Sequence, residues 1–217
     1  PLTLINGPLE NILLKKTVDP EIREDLNIMK QNTERLLSLT NQLLDFRKTE
    51  SQGFRLNFAE CNVTEVLKET YNRFTSLARQ RELDFVLNVG EQDFYAHVNK
   101  EAFTKIVSNL LNNAVKYAET YVHVFLEMNG IGEKRMFYIR TVNDGVIIPN
   151  EMKEEIFKPF VRFNEKEDGK VTTGTGIGLA LSRSLAELHQ GSLMMLEGEE
   201  ANVFCLSLPC LLYTSDA

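Results

Sequence analysis

The chain has 217 residues, 43% of them hydrophobic and 25% charged, with a net charge of −7. That composition belongs to an ordinary soluble protein with one good core and a smaller element beside it, not to a disordered or fibrous chain. The acidic balance gives no basic face for nucleic acid, so any bound polyanion must be held by a local site.

No apolar run approaches the roughly 18 residues needed to span a bilayer, and no basic segment leads into a signal-peptide core. No membrane contact by these residues is expected. The chain opens at Pro1 and its first residues already read as mid-helix, which points to a piece of a longer protein. Cys61, Cys205 and Cys210 form no C-x-x-C pair, so reduced, incidental thiols in a cytosolic compartment are expected.

The stretch "PLTLINGPLENILLKK" reads as an apolar helix interrupted by Gly7-Pro8, where a kink is expected. A turn follows, with Asp19 as N-cap and Pro20 at the first helical position. From Pro20 to about Gln52, Ile22, Leu26, Met29, Leu36, Leu39, Leu43 and Phe46 recur at helical spacing, predicting one amphipathic helix of about 33 residues, roughly 50 Å long. Two such helices cannot cover both apolar stripes. Self-association into a four-helix bundle resolves this, and packing of the hairpin on the following domain is the alternative.

After Gly53 the pattern becomes mixed. Strands are predicted near 54–58, 83–89, 94–98, 121–128, 135–142, 192–197 and 202–208, and helices near 63–80, 99–118, 150–156 and 176–189. The pairs "YVHVFLEM"/"RMFYIRTV" and "SLMMLE"/"NVFCLSLP" read as hairpins. The sheet is therefore mixed or antiparallel with helices on one face, an α+β sandwich.

Within the helix at 99–118, "NLLNNAVKYA" places Asn109, Asn113 and Lys116 on one face, with Ile106, Leu110, Leu111 and Ala114 on the others. Asparagine is a poor helix-interior residue. The stripe is either a solvated face or a ligand face, where a neutral amide oxygen suits a hard cation such as magnesium and the lysine suits a phosphate.

Next come "TVNDGVIIP", then "EEIFKPFVRF" with Phe157, Phe160 and Phe163 around Pro159, and last "KVTTGTGIGLALSRS". The glycines of the last stretch fit neither common phosphate loop. A Walker A loop needs Gly-Lys-Ser/Thr, whereas Gly178 precedes Leu179, and the dinucleotide fingerprint needs a third glycine at 179 and a strand leading in.

Taken in order, these segments resemble the boxes of the ATP-binding domain of sensor histidine kinases of bacterial two-component systems, hybrid kinases among them. That domain belongs to the ATPase superfamily shared with gyrase. "NLLNNAVKY" is similar to the family's asparagine box, "IFKPF" to its phenylalanine box and "GTGIGLAL" to its last glycine box. "PLTLINGPLENIL" resembles the residues that follow the phosphoacceptor histidine of these kinases.

The resemblance implies a two-helix dimerisation and phosphotransfer unit over 1–52, starting just after that histidine, an ATP-binding catalytic domain over 53–209, and a tail over 210–217. It implies ATP and Mg²⁺ as ligands. Asn113 would be the magnesium ligand, Asn109 and Lys116 would meet the phosphates, and Tyr117 would pack by the nucleotide. Arg162 would reach the terminal phosphate. Gly174, Gly176 and Gly178 would let backbone approach the phosphates, with Thr175 and Leu179 beside them, and 164–173 would be a mobile lid.

One box departs from the family's Asp-x-Gly-x-Gly. Counting back from Ile148-Pro149 puts Asn143 at the adenine-binding aspartate, Gly145 at the first glycine and Ile147 at the second; a rival register uses Asp144. An amide oxygen can also accept from the adenine amino group.

The family also implies a homodimer, a response-regulator receiver domain as partner, and a cytoplasmic portion of a membrane-anchored receptor. No residue here is assigned to catalysis itself. His97, His123 and His189 read as structural, so these residues alone are not expected to autophosphorylate. A switch ATPase of the same superfamily and a nucleotide-free dimeric scaffold are the competing readings.

Overall fold

A computed structural model describes residues 2–15, 19–50, 56–130, 135–163, 166–167, 170–171, 175–198 and 200–210. The chain divides into two compact units, Pro1–Lys48 and Thr49–Ala217.

The first unit is a helical hairpin of α1 (Leu2–Leu13) and α2 (Pro20–Glu50). The helix α1 runs through Gly7-Pro8 without a break. Asp19 caps α2, its carboxylate accepting from the Glu21 N–H at 2.9 Å. Arg23 donates to the carbonyls of Leu13 and Lys15, both at 2.9 Å, and so closes the C-terminus of α1 with a cation. Lys30 pairs with Glu10 at 3.0 Å. The hairpin leaves a broad apolar surface uncovered, with Leu4, Ile12, Ile28, Leu36, Leu43 and Leu44 all exposed.

The second unit contains β1 (Ala59–Asn62), α3 (Val63–Asn72), α4 (Thr75–Gln80), β2 (Asp84–Asn88), β3 (Tyr95–Val98), α5 (Lys100–Tyr117), β4 (Tyr121–Asn129) and β5 (Met136–Asn143). These are followed by β6 (Lys166–Glu167), β7 (Lys170–Val171), α6 (Gly178–Leu188), β8 (Ser192–Leu196) and β9 (Asn202–Pro209). The main sheet has the order β2-β4-β5-β9-β8, in which only the β2–β4 pair is parallel. Strands β1 and β3 form a separate antiparallel pair.

Alternation along the strands creates the two faces of the sheet. Val122, Val124, Leu126, Phe137, Ile139, Leu206 and Leu208 are buried on the inner side. They meet Ile106, Leu110 and Leu111 of α5 and Leu181 and Leu185 of α6 in one core, with Phe103 edge-on to Phe137 at 5.9 Å. The mixed α+β sandwich expected from the pattern is the observed architecture.

Three predicted elements differ in detail. The strand expected at 54–58 lies at Ala59–Asn62, and 51–55 fall outside the described residues. Phe58 instead sets its ring edge-on to His189, at 5.2 Å. The helix expected over 63–80 breaks at Arg73–Phe74, where Thr75 Oγ1 donates to the Asn72 carbonyl and ties off the turn. The helix expected at 150–156 is two 3₁₀ turns, Asn150–Met152 and Glu155–Phe157.

Candidate functional site

The polar stripe of α5 is ordered by its own helix. Asn99 caps it, its side chain accepting from the Ala102 N–H at 2.9 Å, while Ile106, Leu110, Leu111 and Ala114 face the core. Asn109, Asn113 and Lys116 are consequently half-buried along the remaining side.

Asn109 joins this face to the start of α6. Its Nδ2 donates to the Gly178 carbonyl at 3.2 Å and to Ser182 Oγ at 3.1 Å. Asn113, one turn further along, takes no part in the side-chain hydrogen bonds among the described residues. Lys116 Nζ donates to the Tyr117 hydroxyl at 2.8 Å, and Tyr117 itself is exposed.

The start of α6 is tied to the phenylalanine-rich loop. The Phe160 N–H donates to the Gly176 carbonyl at 2.8 Å, and both residues adopt left-handed backbone, φ 66° and 70°. A Cβ on Gly176 would lie 2.8 Å from the backbone of Phe160. A glycine is thus required at 176, while Phe160 holds an unfavourable conformation that the contact stabilises. Thr175 Oγ1 accepts from the Ile177 N–H at 3.1 Å, satisfying one free donor ahead of the helix. Phe157 is buried beneath Arg183, whose guanidinium lies 3.8 Å from the ring centroid and pairs with Glu154 at 2.7 Å.

The end of β5 closes the third side. Asn143 is buried on the inner face, and its Nδ2 has no hydrogen-bond partner among the described residues. Asp144 turns the other way. Its carboxylate accepts from the Glu119, Thr120 and Tyr121 N–H groups and from Thr120 Oγ1. Desolvation opposes its charge, but these bonds outweigh that and bring its carboxyl down to about 2. Asp144 is thus engaged in fastening the start of β4.

Gly145 crosses the end of α5 so closely that a Cβ there would lie 1.9 Å from the Tyr117 carbonyl oxygen. Asn202, which the sequence reading did not single out, clamps the loop that follows. Its Oδ1 accepts from the Ile148 N–H at 3.0 Å, and its Nδ2 donates to the carbonyls of Gly145 (3.2 Å) and Val146 (3.0 Å). It faces Asn143 across the β5–β9 register. The available signal was a polar residue in an otherwise apolar inner-face series, Asn202, Phe204, Leu206 and Leu208.

Three segments distant in sequence therefore converge: the α5 face, the β5 end with its loop, and the glycine-led start of α6. Leu179 is half-buried in the first turn of α6, and Arg162 is half-buried in the phenylalanine-rich loop tied to that turn through Phe160 and Gly176. Gly174 and most of the expected lid, 164–173, lie outside the described residues. Among the described residues no group of three or more His, Cys, Asp or Glu could hold a metal.

His97 lies on β3, His123 on β4 and His189 at the end of α6. His189 is buried, accepts from the Asn99 N–H at 3.1 Å through Nε2 and donates to the Leu185 carbonyl through Nδ1; burial lowers its pKa, so the ring is neutral. His123 pairs with Asp84 on the outer face. All three cysteines are free thiols. No described helix is long and apolar enough to cross a membrane.

The histidine kinase-, DNA gyrase B-, and HSP90-like ATPase family matches residues 98–211. The chain is 30% identical over 212 residues to Histidine kinase P4 of Formosa agariphila, covering 96% of this chain and 15% of that protein. It is 26% identical over 194 residues to the sensor histidine kinase WalK of Bacillus subtilis, covering 89% and 31%. The chain thus spans less than a third of these relatives. Among solved structures, the catalytic domain of histidine kinase ThkA aligns with a TM-score of 0.62 at 26% identity, covering 72% of this chain and 97% of that one. Full-length ShkA in complex with AMPPNP shares the fold, with a TM-score of 0.78 at 22% identity over 95% of this chain and 43% of that one.

Proposed function

The chain belongs to the histidine kinase-, DNA gyrase B-, and HSP90-like ATPase family as the catalytic domain of a sensor histidine kinase, and from that premise we propose that it binds magnesium-ATP for phosphoryl transfer to a histidine. One observation supports this reading. Asn109 bonds the polar face of α5 to the first turn of α6, so an amide-lined face and a helix N-terminus border one space. A helix N-terminus offers unpaired N–H groups and a positive dipole end to phosphate.

In this reading Asn109 positions α6, and Asn113 supplies a neutral oxygen to the magnesium ion. Lys116 and Arg162 offset phosphate charge, Gly176, Gly178 and their neighbours Thr175 and Leu179 let the main chain approach, and Asn143 with Gly145 and Tyr117 receives the base. Magnesium would neutralise the phosphate oxygens as charge moves during transfer. The protein's own task is positioning, since phosphoryl transfer asks little covalent chemistry of side chains.

The exposed apolar residues of the hairpin support a second copy of this chain as partner over residues 1–52, the two hairpins closing a four-helix bundle. Onward transfer to a response-regulator aspartate completes the proposal; ThkA has been crystallised with the response regulator protein TrrA.

The test is calorimetry of magnesium-ATP binding to the protein and to Asn113→Ala. Asn113 lies outside the core, so the variant keeps its melting temperature and loses at least about tenfold in affinity, roughly 1.4 kcal/mol. Unchanged affinity would remove Asn113 from the site.

A further inference from the structure

We propose that Asn143 lets this site accept 6-oxopurine nucleotides, those of guanine and hypoxanthine, as well as adenine nucleotides; the inference rests on the nucleotide reading above and deepens it. Asn143 is 3% exposed, so what its amide meets is decided inside the fold. Its Nδ2 nevertheless has no partner among the described residues. Buried donors are nearly always paired in a completed protein, so an unpaired one on the face toward a site points to a missing acceptor.

The two neighbouring amides are different. Asn202 is fixed by three hydrogen bonds, and Asn109 is held through Nδ2 by two. No bond from the NH₂ of Asn143 fixes which of its branches faces the site. Two residues earlier on the same buried face, Thr141 Oγ1 is also without a partner among the described residues. The inner face of β5 thus ends in two successive polar groups that the described residues leave unpaired.

The chemistry of those groups decides selectivity. A carboxylate only accepts, so at this position it would take a hydrogen bond from the 6-amino group of adenine and repel the O6 of guanine or hypoxanthine. A carboxamide carries an acceptor on one branch and donors on the other, and a half-turn of the group exchanges them. In one orientation Oδ1 accepts from the adenine 6-amino group while Nδ2 donates to N1. In the other, Nδ2 donates to O6 while Oδ1 accepts from N1–H. Each purine edge is completed without any backbone movement.

Thr141 adds no bias, because a hydroxyl both donates and accepts. A site that leaves a polar group unpaired can reject the wrong ligand by roughly 10⁴–10⁵-fold. An amide free to turn leaves neither purine unpaired, and that source of rejection is absent.

The experiment titrates the protein and Asn143→Asp with magnesium complexes of ATP, ITP and GTP, read by calorimetry. ITP carries O6 and N1–H without the 2-amino group, so it isolates the edge that Asn143 would read. The expected result is that ITP or GTP binds within about tenfold of ATP, and that Asn143→Asp widens that ratio by at least about tenfold. ATP binding with both ITP and GTP more than about tenfold weaker would overturn the proposal, as would a folded Asn143→Asp protein with an unchanged ratio. Should that variant fail to fold, the ratio in the parent protein decides alone. Binding of none of the three nucleotides would instead overturn the nucleotide reading on which the proposal stands.

Discussion

Adding a single methyl group at Gly145 tests the convergence of the site in the most direct way. The Cβ of Gly145→Ala would sit 1.9 Å from the Tyr117 carbonyl oxygen and 2.8 Å from its carbon. Carbon and carbonyl oxygen approach to about 3.3 Å at best, so the loop after β5 must lift from the end of α5 by more than an ångström. The atom in the way is backbone at the last residue of a helix, and no rotamer change relieves it. Overpacking of this kind costs about 1–3 kcal/mol. Lifting the loop also strains the bonds from Asn202 to the carbonyls of Gly145 and Val146, worth about 1 kcal/mol each.

Together these give a loss of about 3 kcal/mol, or roughly 9 °C in melting temperature for a unit of this size. Urea unfolding of parent and variant in the same buffer measures it, and calorimetry should show nucleotide affinity falling with it. A variant within about 0.5 kcal/mol of the parent would refute the close crossing of these two segments.

Asn202→Ala removes an acceptor from Ile148 and donors from two carbonyls, and should cost about 2–3 kcal/mol in urea unfolding while weakening nucleotide binding; a loss below about 1 kcal/mol would show that the clamp is not the loop's main support. Asp144 gives a pH dependence with a definite sign. Its folded pKa of about 2 lies below the ordinary value of 3.8, so its contribution is fully present above about pH 4 and is lost as pH falls toward 2. The group is partly solvated, which reduces the effect to about 1 kcal/mol. The stability difference between the parent and Asp144→Asn, measured at pH 7 and pH 3, should shrink at the lower pH, and a constant difference would contradict the assignment.

The parts of the molecule governed by local periodicity were legible in the sequence. The faces of α5 follow from helical spacing, and alternation placed β4, β5, β8 and β9 within a residue or two of their observed ends. What was not legible depends on partners far along the chain. Phe54, Leu56 and Phe58 alternate like a strand, yet the ladder forms one step later, where Ala59–Asn62 finds Tyr95–Val98 in register. The break at Arg73–Phe74 contains no glycine or proline to announce it. Whether position 143 or 144 faces the core was open from spacing alone, and the bonds from residues 119–121 to Asp144 decide it geometrically. The alternation along β9 marks Asn202 as a polar residue on an apolar face, but its partners at 145, 146 and 148 lie more than 50 residues away, where no local pattern identifies them.

The glycines of the site have different physical causes, and the difference leads to a last prediction. Gly145 is demanded by a carbonyl 1.9 Å away, and Gly176 by its positive φ together with the backbone of Phe160. Gly178 is demanded by neither. The nearest atom to a Cβ there is Asn109 Oδ1 at 3.5 Å, an ordinary contact, and its φ is not in the left-handed region. Alanine is favoured over glycine within a helix by about 1 kcal/mol, and somewhat less at the first turn, so the fold alone would accept Gly178→Ala. A ligand whose phosphate approaches the N–H groups of that turn would not, because the methyl group occupies the space the main chain leaves open. Gly178→Ala should therefore unfold within about 0.5 kcal/mol of the parent, or slightly above it, while losing about tenfold or more in magnesium-ATP affinity. Equal affinity in parent and variant would place the phosphates elsewhere, and a large loss of stability would mean that the packing of α6 against Asn109 is tighter than 3.5 Å allows.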